Sequence, residues 1–211
     1  MSTFPNTPRL QRGAIVAVNP TGPPKVVLFQ YNPDTLTRTL NARTVGNEGD
    51  KGDVLRLKGP PEETIKLDIE IDATDQLEQG HPLATSLGIY PALAALETLL
   101  YPESQRMIAN EARLNQGELE IIPPVAPLTL LVWGPQRVLP VRMSSLSITE
   151  EAFDAELNPI RAKISLDLRV LSYQELGLKS VGGGLAMAHH IAKERWAKAG
   201  PAATLPFALK L

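Results

Sequence analysis

A regular alternation of apolar and polar residues runs along residues 62–73 of the chain. The apolar positions are Ile65, Leu67, Ile69 and Ile71. The polar positions are Lys66, Asp68, Glu70 and Asp72. Because successive side chains of a strand point to opposite faces, the pattern predicts a strand whose aliphatic side meets the core and whose acidic side faces outward.

Six other segments have the composition of strands and are separated by turn-forming residues. They are residues 12–19, 25–31, 35–43, 127–134, 137–154 and 159–176. The Leu-Asn-Pro sequence between the last two predicts a hairpin connection. A slip in the alternation at Ser144–Ser145 predicts a β-bulge.

A helical period replaces the strand period in the middle of the chain. Apolar residues at positions 89, 93, 96, 99 and 100 have helical spacing. Pro91 suits the first turn of this helix, and Pro102 suits its end. Residues 103–115 are expected to add one or two further helical turns.

The composition changes after Leu176. Residues 177–184 are rich in glycine and indicate a flexible hinge, and residues 185–200 predict an amphipathic helix. The chain is therefore divided into a β domain of residues 1–176 and a hinge, helix and tail of residues 177–211. This helix packs on its own domain or binds a partner, and the partner-binding residues would be Leu185, Ile191, Arg195 and Trp196.

Charge and composition narrow the possible functions. The formal net charge of −2 gives no general attraction to nucleic acid or to an anionic membrane. The absence of cysteine excludes disulfides, thiolate metal sites and cysteine nucleophiles. No apolar run has the length of a membrane span, and the first residues lack the apolar stretch of a signal peptide, so synthesis in the cytoplasm is expected.

The candidate catalytic and metal-binding groups do not converge. Asp68, Glu70 and Asp72 lie about 7 Å apart along one strand face, which is too far for one ion without other segments. They are expected to face solvent or the basic residues of a neighbouring subunit. His190 and Glu194 have a spacing that zinc uses, but a third ligand is missing, and His81 and His189 supply no partner. No phosphate-binding or nucleophile motif is present, so we expect no cofactor and no enzyme activity.

The order of these segments resembles the tube-protein-domain family of contractile injection systems, the phage-tail-like particles. The resemblance covers about residues 10–176. The segments on which the resemblance rests are FQYNPDTLTRTL, ETIKLDIEIDATD, YPALAALETLLYP, PLTLLVWG and VRMSSLSITEEAFDAELNPIRAKISLDLRVL. The resemblance implies a mainly β fold with a flanking helix, namely a tube-protein-like β-barrel of two packed antiparallel sheets, here with a C-terminal helical tail.

The same resemblance implies a structural role in the baseplate. A tube initiator of this family forms a homo-hexameric ring whose neighbours extend each other's sheets. In such a ring the acidic face of Asp68, Glu70 and Asp72 would face the lumen, a neighbouring subunit or solvent. It joins the trimeric spike hub to the hexameric inner tube and templates tube assembly. Its implied partners are further copies of itself, the spike or hub protein, the inner tube protein and the baseplate wedge proteins, with no nucleic acid and no direct membrane insertion.

The polar loop at residues 44–58 occupies the place where tube-fold proteins reach an adjacent subunit or ring. The implied contact residues are Thr44, Asn47, Glu48, Asp50, Lys51, Asp53, Arg56 and Lys58. Larger members of the family continue into a LysM-like module that engages the wedge, whereas this chain continues into one helix and a tail. An inner-tube subunit or tube terminator of the same machine, and a small ligand-binding β-barrel, stay open as alternatives.

Overall fold

The computed structural model describes residues 12–18, 23–44, 56–115 and 126–199, which form one antiparallel sheet with helices. The strands are β1 (Ala14–Val18), β2 (Lys25–Leu28), β3 (Leu36–Asn41), β4 (Glu62–Asp72), β5 (Leu128–Val132), β6 (Val138–Phe153) and β7 (Pro159–Val170). The helices are α1 (Thr74–Glu78), α2 (Pro82–Leu87), α3 (Tyr90–Glu97), α4 (Ser104–Asn115), α5 (Tyr173–Leu176) and α6 (Val181–Ala199).

The seven strands form one sheet in the order β2-β1-β5-β6-β7-β4-β3. The expectation of two packed sheets is therefore corrected, because β5 and β6 join the β1–β2 pair to the β7–β4–β3 group through continuous ladders. In the described part of the chain β2 pairs with β1 alone and β3 with β4 alone. The sheet is thus open, and these two strands are its edges.

The long β6–β7 hairpin confirms the predicted connection and bulge. The register between the two strands shifts between Met143 and Ser145, which lets Leu146 face Leu166 on the core side. The turn is closed by Asp154, whose carboxylate accepts hydrogen bonds from the amides of Glu156 and Asn158, each at 2.8 Å. These two hydrogen bonds stabilise the turn that connects β6 to β7.

The aliphatic side of β4 is buried, as its alternation predicts. Ile65 lies opposite Leu168, which in turn lies opposite Met143, so one apolar row crosses β4, β7 and β6. Leu93 and Leu96 of α3 belong to the same core cluster. One face of the sheet is therefore in the protein core, and the opposite face of these three strands is left for polar residues.

A glycine fixes the helices against the start of β7. Gly88 has φ +55, and a Cβ there would overlap the carbonyl oxygen of Pro159. The next amide, that of Ile89, donates to the same oxygen at 2.8 Å. Only glycine allows both this backbone conformation and this close approach.

Two elements differ in extent from the expected ones. β7 ends at Val170 because Ser172 and Glu175 form a capping box that starts α5. α4 is a full helix of 12 residues, where only one or two turns were expected. No helix in the described ranges is long and apolar enough to span a membrane.

The glycine-rich segment is helical instead of hinge-like in its second half. α6 begins at Val181, so Gly182–Gly184 lie in its first turns, and Gly182 and Gly183 are buried. The Ser180 hydroxyl accepts a hydrogen bond from the Gly183 amide at 2.9 Å and so caps the helix. The division of the chain after residue 176 stays a prediction.

Candidate functional site

The polar face of β4, β7 and β6 is built from facing pairs of opposite charge. The register places Glu70 opposite Lys163, Asp72 opposite Arg161 and Lys66 opposite Asp167. The Arg161 guanidinium lies 2.6 Å from Asp72 and 3.6 Å from Glu70. Direct cross-strand pairs of this kind stabilise a sheet and fix its register.

Hydrogen bonds extend these pairs into a network across the face. The Ser165 hydroxyl donates to Asp68 at 2.5 Å, and the Ser145 hydroxyl donates to Asp167 at 2.8 Å. Lys163 lies 2.7 Å from Glu151 of β6. Each residue of the predicted acidic row, Asp68, Glu70 and Asp72, therefore faces a basic or hydroxyl side chain of β7.

The pKa shifts on this face agree with the pairing. Burial tends to raise the pKa of Asp72, but hydrogen bonds from Thr74 and the Arg161 guanidinium outweigh it and lower that pKa. The hydrogen bond to Asp72 raises the pKa of Arg161. In the described ranges no group of three or more His, Cys, Asp or Glu side chains is placed to hold a metal ion.

A buried carboxylate on the opposite face was missed by the sequence reasoning. Glu63 is in phase with the aliphatic residues of β4, and its side chain is only 6% exposed. Arg38 of β3 approaches Glu63 to 2.6 Å, and Lys193 of α6 approaches it to 3.0 Å. The sequence does contain an indication of this site. Glu63 occupies a position of β4 whose side chain faces the core, and a charged residue there needs a buried partner.

The Glu63 cluster ties α6 to the edge of the sheet. Burial tends to raise the pKa of Glu63, but the hydrogen bonds and charges of Lys193 and Arg38 outweigh it and lower that pKa. Burial and the nearby Lys193 lower the pKa of His189, one turn earlier in α6. An ionised Glu63 therefore pairs with Lys193 of α6 and Arg38 of β3 at once.

We expect Glu63→Gln to destabilise the fold by about 1.5 kcal/mol at neutral pH, because it removes a charged acceptor from Arg38 and Lys193. Since the folded-state pKa of Glu63 is depressed, its contribution is present above the unfolded pKa of about 4.3 and is lost as the pH falls through the folded value. Urea unfolding at several pH values measures both effects.

The matched control is Glu62→Gln, because Glu62 is half exposed and pairs with Arg169 at 3.0 Å. Such an exposed pair contributes below about 1 kcal/mol. Equal losses of unfolding free energy in Glu62→Gln and Glu63→Gln would rule out the anchoring role of Glu63. The same conclusion would follow if the stability of Glu63→Gln depended on pH as that of the unaltered chain does.

The proposed partner face of α6 is partly exposed. Ile191 and Trp196 are 41% and 45% exposed, Arg195 is exposed and Leu185 is half-buried. The rings of Trp196 and His189 lie nearly perpendicular to each other, with centroids 5.9 Å apart. His190 lies 3.6 Å from Glu194, as their spacing predicts, and stacks on Tyr173. Both readings of this helix are therefore compatible with its surface, and the partner-binding role stays a prediction.

The polar loop is anchored at its base by backbone pairing. Thr44 forms an isolated bridge with Leu57, and the Lys58 amide donates to the Arg43 carbonyl at 2.7 Å. Thr44, Arg56 and Lys58 are exposed. The other predicted contact residues lie outside the described residues: Asn47, Glu48, Asp50, Lys51 and Asp53.

The edge strand β2 exposes apolar side chains as well as backbone groups. Val26 and Leu28 are 52% and 61% exposed, whereas Val27 between them is buried. The Phe29 amide donates to the Gly13 carbonyl at 2.9 Å, next to β1. Because alternate amides of a strand point to opposite sides, the amides of Val26 and Leu28 point away from β1. An apolar edge of this kind is a template for pairing with another strand.

Two of the solved structures that are similar to the chain come from gene transfer agent (GTA) particles. A chain from the tail of an empty GTA particle, with C6 symmetry, has 11% identity and a TM-score of 0.29 over 75% of this chain and 90% of that one. A chain from the virion of the native particle has 10% identity and a TM-score of 0.27 over the same shares. No protein-family model and no curated protein matches the sequence. Superpositions with TM-scores this low carry no functional argument.

Proposed function

We propose that the chain is a structural subunit of a phage-tail-like particle and that its copies join edge to edge into a ring. The observation that carries the proposal is the open sheet, in which β2 and β3 are the edge strands among the described residues and lie at opposite ends of the strand order. Pairing of one edge with the other edge of the next copy is a heterologous contact, which closes into a ring at a suitable rotation. Each added copy would cover the exposed Val26 and Leu28 of its neighbour.

Within such a particle we place the chain in the baseplate as the adaptor between the trimeric spike hub and the hexameric inner tube. The order of segments in residues 10–176 supports this role, as does the anchored base of the loop at Thr44 and Leu57. That loop would contact the adjacent ring. The exposed side of α6 at Ile191 and Trp196 would face the spike or wedge proteins.

The self-paired charges of the polar face also suit a structural role. Arg161, Lys163 and Lys66 each form an ion pair with a carboxylate of the same face, so the face offers a surface with mixed charge. A surface of this kind can line a lumen without holding an anionic or cationic cargo tightly. We therefore propose a structural function and no catalytic one.

An inner-tube subunit or tube terminator would use the same two edges, and the number of copies separates these roles. We expect about six copies in each purified sheathed particle, twice the number of spike chains. Quantitative mass spectrometry of the chain against the sheath and spike proteins measures this number. A count that increases with sheath length would make the chain a tube subunit, and its absence from particles would contradict the proposal.

A further inference from the structure

The imidazole of His189 lies beside the Glu63 cluster and takes no hydrogen bond from it. His189 is one turn before Lys193 on the same side of α6, and its ring centroid lies 5.9 Å from that of Trp196. The Nε2 atom of His189 is buried and has no hydrogen-bond partner among the described residues. One nitrogen of a neutral imidazole carries no proton and needs no acceptor. The neutral form of His189 therefore fits this site.

The charged groups around His189 come from four elements, and most of them are positive. Lys193 lies on α6 itself, Arg38 on β3 and Arg137 in the turn between β5 and β6. Glu63 of β4 is the carboxylate among them. Burial and these three cations lower the pKa of His189, and the charge of Glu63 offsets their effect only in part.

The carboxylate of Glu63 is already shared between two cations. Its Oε1 atom accepts a hydrogen bond from Arg38 at 2.7 Å, and its Oε2 atom accepts one from Lys193 at 3.0 Å. A proton on His189 would add a further positive charge next to Lys193 and would turn the buried Nε2 into a donor. Because burying an unpaired charge is costly, the protonated ring has to leave this site or displace Lys193 from Glu63.

We propose that protonation of His189 releases the C-terminal half of α6 from the sheet, so that the helix is held at neutral pH and loosened in mild acid. In the released helix the ring meets water, and its pKa is about 6.5, above that of the packed ring. As the pH falls below about 6.5, the released state takes up the proton first, and the packed state loses stability until the pH reaches the lower pKa. Glu63 stays ionised in this range because its pKa is held below its ordinary value. All these groups belong to one chain, so the release does not depend on the proposed ring.

Hydrogen exchange of the α6 amides from Lys193 to Trp196 in the isolated full-length chain tests the release. We expect their protection, the ratio of the intrinsic to the measured exchange rate, to be about threefold lower at about pH 5.5 than at about pH 7.5. His189→Gln keeps a polar side chain that does not titrate, so the difference should disappear. The matched control His190→Gln removes the exposed neighbouring imidazole and should keep the difference. Equal protection at both pH values in the unaltered chain, or a difference that survives in His189→Gln, would overturn the proposal.

Nuclear magnetic resonance titration of the imidazole rings tests the same proposal in the unaltered chain. The chain has three histidines, so each ring signal can be assigned from a variant that lacks it. We expect His189 to titrate below about 6.5 and the Lys193 amide resonance to move with the same midpoint. Titration of His189 at or above about 6.5 would overturn the proposal. So would a Lys193 resonance that does not follow the titration of His189.

Discussion

Replacing Val26 with proline is expected to abolish assembly of the chain into rings while the subunit stays folded. The Val26 amide points away from β1, so its loss removes a donor from the open edge and no bond from the β1–β2 ladder. Val26 is also half exposed, and its side chain is outside the core cluster. A partner strand would lose one hydrogen bond and keep an unsatisfied carbonyl, which costs about 2 kcal/mol per interface.

That cost weakens each contact about 30-fold, and a closed ring contains several such contacts. Analytical ultracentrifugation and electron microscopy of negatively stained samples measure the fraction of rings. The control is Val26→Thr, which keeps the amide and the branched shape and should still assemble. If Val26→Pro forms rings as readily as Val26→Thr, the β2 edge is not the contact between copies.

Replacing Gly183 with alanine is expected to displace α6 and to destabilise the fold by about 3 kcal/mol. A Cβ at this position would overlap the carbonyl oxygen of Gly177, which is backbone and cannot rotate away. The helix would have to shift, and the 3.0 Å contact between Lys193 and Glu63 would be lost with it. The buried Glu63 would then keep only Arg38 as a partner.

The neighbouring glycine provides a matched control. A Cβ at Gly184 meets nothing within 4 Å. Gly184→Ala should therefore stabilise the helix by about 1 kcal/mol through its helix propensity. Thermal and urea unfolding of both variants measure the difference. The same stability change in Gly183→Ala and Gly184→Ala would contradict the close packing of α6 against the preceding turn. It would instead support the flexible hinge that the sequence predicts.

The sequence predicted the elements that depend on local alternation and turn chemistry. The period of two in β4, the hairpin after Asp154 and the bulge near Ser145 all follow from residues within a few positions of each other. The acidic row was also assigned to an outer face, and the structure adds its partners on β7. Those partners are about ninety residues away in sequence, so no local pattern gives them.

The features that the sequence did not predict depend on tertiary packing. Apolar and polar residues alternate along each strand in the same way in a single open sheet and in two packed sheets. The alternation therefore does not distinguish these two folds. A run of glycines such as the one at Gly182 and Gly183 is typical of a flexible hinge. In the structure these two glycines instead allow a close approach between α6 and the preceding turn. Glutamate normally lies on a protein surface. The burial of Glu63 is explained by Arg38 and Lys193, which pair with its carboxylate.

Hydrogen exchange at both sheet edges, compared between the isolated subunit and the assembled particle, shows whether copies of the chain join edge to edge. Peptides that cover Lys25–Leu28 and Leu36–Asn41 report the edges β2 and β3. We expect both peptides to exchange at least about tenfold more slowly in the particle. Slower exchange at one edge alone would indicate an isologous dimer. Unchanged exchange at both edges would contradict edge-to-edge assembly.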